Sequence, residues 1–93
     1  MRTNFQMIME LKNYSPKEDG VTSWSEIKMI RNHFNLCDMS RLELQNLRDM
    51  VVLLYGNWTR EAREKSNWSE FDAKHNAMCS ITAVIDMLIC ANC

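Results

Sequence analysis

Leu44, Leu47, Val51, Leu54 and Trp58 step along the chain by threes and fours, a spacing that holds them on one side of an α-helix. The pattern predicts a helix whose stripe is core. Helix starts are marked in the same region and elsewhere by capping boxes, in which Ser, Thr or Asn precedes Glu or Gln by three residues and the two side chains satisfy amides the helix leaves free. Thr3 with Gln6, Ser23 with Glu26, Ser40 with Glu43 and Asn67 with Glu70 all fit. Four helices are therefore expected: about Asn4 to Lys12, Trp24 to Leu36, one beginning after Ser40, and Trp68 to about Cys90. Ser15 with Glu18 also matches, with Pro16 where a missing amide does no harm, but Asp19 and Gly20 follow, so a single turn and a loop are expected. Gly56 sits where a left-handed cap would end the third helix and Thr59 could restart it, predicting a cap-and-restart or a kink. Beyond it, Arg60 with Glu64 and Glu61 with Lys65 have the four-residue spacing of a solvated surface.

The last helix changes character halfway. From Ala77 onward its one charged residue is Asp86, and a helix apolar nearly all round must be covered on more than one side. It is expected to be either the central element of the bundle or the seam of a homodimer. The fold class that results is all-α, a small helical bundle of three longer helices plus a short N-terminal helix. Residues 1–93 form a single domain, with 1–22 the N-terminal helix and loop and 23–93 the three-helix core.

Composition agrees with long helices: two glycines and one proline interrupt 93 residues, 46% of which are hydrophobic. Eleven basic against twelve acidic residues leave neither the basic stripe of a nucleic-acid module nor the acidic surface of a DNA mimic. The N-terminal segment lacks the apolar run of a signal peptide, so the expected location is the cytoplasm, with the cysteines as reduced thiols. A membrane anchor at the C-terminus is disfavoured, because the apolar stretch falls short of the roughly 20 residues a span needs and carries Asp86 in its middle.

Candidate chemistry centres on thiols. His75, Cys79, Cys90 and Cys93 fall on one strip of the last helix, a donor set that suits zinc. Cys79 and Cys90, however, lie about 16 Å apart along a straight helix, too far for one tetrahedral shell. Only unwinding or ligands from a second subunit would close it, and thiols packing a helix seam are the expected reading. No metal site and no cofactor are predicted. The spacing of Cys90 and Cys93 resembles a thiol-exchange motif but lacks the strand before it. No phosphate loop, nucleophile elbow or apolar-faced carboxylate pair is present, so no catalytic residues are expected.

These patterns point to a non-enzymatic protein that works by stoichiometric binding of another protein, with homo-oligomerisation through the C-terminal helix. Trp68, Met87 and Ile89 on that helix, and Phe5 and Met9 on the first, are the candidate contacts, since aromatic and methionine side chains favour interfaces. Trp24 is expected to fold back over its own first turn as a hydrophobic staple, and Trp58 to belong to the core. A small chain of this kind suits a phage or mobile-element accessory protein that inhibits a host factor. The alternative is a helix-turn-helix DNA-binding regulator built on the second and third helices, with Ser40, Arg41, Gln45, Asn46 and Arg48 available for bases or phosphates. A second alternative is a zinc- or redox-linked thiol protein.

Overall fold

A computed structural model describes residues 2–16 and 23–91; helices take up 81% of these positions, and no strand occurs among them. In order they are α1 (Asn4–Glu10), α2 (Trp24–His33), a 3-10 turn (Leu36–Asp38), α3 (Arg41–Glu64) and α4 (Trp68–Ala91). The all-α architecture is the one the periodicity predicts. All four starts fall where the capping pairs place them: Thr3 and Ser40 close complete capping boxes. Ser23 accepts the Glu26 amide at 3.3 Å. Asn67 accepts the Glu70 amide at 3.2 Å. The Ser15–Glu18 turn and its loop fall largely on residues outside those described.

The ends differ from expectation. α1 stops at Glu10 rather than Lys12. α2 stops at His33 rather than Leu36, because Asn35 enters the left-handed region at φ 54°, ψ 43°, which Asn tolerates better than most residues. That reversal drives Leu36 into the core. Gly56 neither caps nor divides α3, which runs unbroken for 24 residues. Tyr55, Trp58 and Ala62 continue the inward stripe past it, and their packing outweighs the roughly 1 kcal/mol that a mid-helix glycine costs. The stripe also shifts register, so that Tyr55 is fully buried and Leu54 only half-buried.

α3 ends in a Schellman motif: Ser66 adopts φ 56°, while the Asn67 amide donates to Ala62 O at 2.8 Å and the Ser66 amide to Arg63 O at 3.0 Å. The chain reverses there, and α4 returns antiparallel. Arg48 near the start of α3 accordingly meets Asp86 near the end of α4, at 2.7 Å. Between the two helices, Leu44, Leu47, Val51 and Tyr55 pack with Ala77, Ile81, Val84 and Ile85, and Ile30, Phe34 and Leu36 complete the core from the other side.

At seven residues, α1 is too short to be stable alone, and it is held through carbonyls of its last turns and of the residues just after it. His33 Nε2–H donates to Met7 O at 2.9 Å, Tyr55 donates to Leu11 O at 2.7 Å, and the Lys74 ammonium donates to Lys12 O. One donor comes from each of α2, α3 and α4. Arg2 returns the arrangement by donating to His33 O, at the end of α2, at 2.9 Å while pairing with Glu10.

Candidate functional site

α4 has two unlike sides. Lys74, Ala77, Ser80, Ile81, Val84 and Ile85 are buried against α2, α3 and the 3-10 turn. Trp68, Asp72, His75, Cys79, Ala83 and Cys90 are exposed and recur at spacings of three, four and seven, so they share the opposite side. Trp68 is 56% exposed, and Met87, at the edge of this side, 52%. The helix is thus central on one side and open on the other. Two of its thiols, Cys79 and Cys90, face outward, so neither packs against another helix of the same chain.

Side chains along the first half of this face lean on one another. Trp68 meets Phe71 edge-on with ring centroids 5.8 Å apart, and Phe71 stacks on His75 at 6.2 Å with planes 3° apart. His75 Nε2 in turn lies 3.7 Å from Cys79 Sγ. Of the sequence-derived metal candidates, His75 and Cys79 are therefore brought together. Cys90 is three turns further on, Cys93 lies outside the described residues, and among those described no three His, Cys, Asp or Glu residues converge.

Phe5 and Met9 are exposed on the outer side of α1, whereas its Met7 and Ile8 are buried. Ile89, the remaining candidate contact, is half-buried against the core. Trp24 does not form the expected staple: it is the first residue of α2, after the Ser23 cap rather than before it, its ring is 62% exposed, and the Lys28 ammonium lies 5.7 Å from it. Trp58 sits against Tyr55, at 4.8 Å between centroids, with the ammonium groups of Lys12 and Lys74 at 5.3 and 5.6 Å. Lys74 is 6% exposed, and burial pulls its pKa below the ordinary 10.5. The sequence reading missed this lysine, since nothing in its local setting distinguishes it from a solvated one. It also missed the exposed Leu42 and Leu53 of α3, which lie off the inward stripe.

The segment between α2 and α3 spans residues 34–40 and includes the 3-10 turn, longer than the three- or four-residue turn of a helix-turn-helix. Arg48, a candidate phosphate contact, is engaged by Asp86. Among the described residues no helix is long and apolar enough to cross a membrane. No protein-family model, curated protein or solved structure matches the chain.

Proposed function

We propose that the protein is a non-enzymatic binding module that pairs with a second copy of itself through α4 and acts by occupying the surface of another protein. The observation that carries this reading is the uncovered side of α4, where small residues, Cys79 and Ala83, lie between the larger Trp68 and Met87. Small residues in the middle let a second helix approach closely, and large exposed groups near both ends give it something to cover. A face of this shape is self-complementary to an antiparallel copy, as a twofold interface requires. Phe5 and Met9 on α1 remain available for the other protein.

The test is the mass of the purified chain in solution, followed by the ratio of any protein that co-purifies with it. The wild type is expected to sediment as a dimer and to hold its partner in fixed ratio. Ala83→Glu places a charge at an exposed position on the open face, so it should give a folded monomer. A wild-type chain that stays monomeric at every concentration contradicts the proposal. Affinity for DNA that falls steeply with salt would favour the regulator reading instead.

A further inference from the structure

We propose that the open face of α4 carries half of a metal site, and that two copies close it around one zinc-like ion held by His75 and Cys79 of each. The inference rests on α4 being the face between copies. Its basis is the 3.7 Å between His75 Nε2 and Cys79 Sγ. A tetrahedral ion with nitrogen at about 2.0–2.1 Å and sulfur at about 2.3 Å sets those two ligand atoms roughly 3.5 Å apart. The pair is exposed and already near the separation an ion would impose. Phe71 lies parallel to the imidazole on the same side of the helix, with centroids 6.2 Å apart. One chain supplies only two of the four ligands, because no third His, Cys, Asp or Glu converges on the pair among the described residues.

The same symmetry satisfies the apolar face. A twofold axis at the level of Ala77, midway between the two ligands, sets His75 across from Cys79 of the second copy. An antiparallel α4 in that register brings Trp68 across from the Asp86–Met87 step of the second copy, where its indole can cover the exposed methionine. Metal half-site and apolar ends thus share one centre. Two thiolates neutralise a divalent ion, their protons passing to solvent as the metal–sulfur bonds form, so the closed site buries no net charge.

The experiment uses the reduced full chain, stripped of metal with EDTA and titrated with cobalt as a spectroscopic probe and then with zinc. One ion per two chains is expected, together with the intense visible bands of tetrahedral cobalt–thiolate and a doubling of mass. His75→Ala and Cys79→Ser should each weaken metal binding by about 100-fold or more, beyond the roughly 10–100-fold lost when a group that only supports a ligand is removed. The variant carrying Cys37→Ser, Cys90→Ser and Cys93→Ser should bind like the wild type, and circular dichroism checks that each variant folds. A dimer that persists unchanged in EDTA overturns the metal bridge and leaves α4 pairing intact. One ion per monomeric chain, or loss of binding in the triple-serine variant, also overturns it. A chain that is monomeric with and without metal overturns both proposals.

Discussion

Tyr55 is the largest fully buried side chain, and burial pushes its hydroxyl well above the ordinary value of 10.0. Burial raises Tyr14 likewise, helped by its 2.6 Å hydrogen bond to Glu26. As pH rises past about 10 the unfolded chain releases these phenolic protons while the folded chain keeps them, so stability falls with pH in that range. Lys74 opposes this: its lowered pKa means that the folded chain gives up that proton first, and stability gains as pH climbs toward 10.5. With two tyrosines against one lysine, urea midpoints should decline above about pH 10, and Tyr14→Phe combined with Tyr55→Phe should flatten the decline. At neutral pH, Tyr55→Phe should cost only about 1 kcal/mol, because Leu11 O also accepts the Tyr14 amide at 2.9 Å. Two backbone positions offer gains. A Cβ on Gly56 would meet nothing within 4 Å, so Gly56→Ala should stabilise by roughly 0.5–1 kcal/mol in thermal or urea unfolding. Ser66→Gly should raise stability by up to about 1 kcal/mol by relieving the left-handed conformation in the α3–α4 turn.

At the scale of the elements, helix starts depend on short-range side-chain bonds, and Ser40→Ala should cost about 1 kcal/mol in unfolding free energy through loss of the α3 cap. That locality is why all four starts were legible in the sequence. The ends were less so. Gly56 resembles a terminator when its neighbours alone are considered, and only the burial of Tyr55 and Ala62 against the rest of the fold explains why α3 continues. Asn35 ends α2 with a left-handed residue that several other asparagines in the chain would have suited equally well. The open face of α4 was half legible: Trp68, Met87 and the helical strip of His75 and Cys79 follow from spacing. Which side of an almost uniformly apolar helix faces inward is decided by α2 and α3, so composition alone does not separate the half-buried Ile89 from the exposed Cys79 and Cys90. Lys74 and His33 were invisible for a related reason, since their partners are backbone carbonyls 62 and 26 residues away in sequence.

The molecule as a whole is elongated, 40 × 25 × 22 Å, because its frame is a hairpin of two 24-residue helices, each about 36 Å long at 1.5 Å per residue. Such a hairpin needs little help from exposed ion pairs. Arg48 and Asp86 are 40% and 48% exposed, and Asp86→Asn should leave the melting temperature nearly unchanged, a result readable in one calorimetric scan. The attachment of α1 is another matter. The carbonyls of Met7 in α1 and of Leu11 and Lys12 just beyond it receive donors from all three other helices, so a protease that clipped the chain after Asn13 would remove more than a small helix. It would strand an ammonium, an imidazole and a phenol around a newly opened trough, and the remaining three helices would have to admit water there or reorganise. The first dozen residues thus serve as the stopper of the bundle, and fusion partners are better placed at the other terminus.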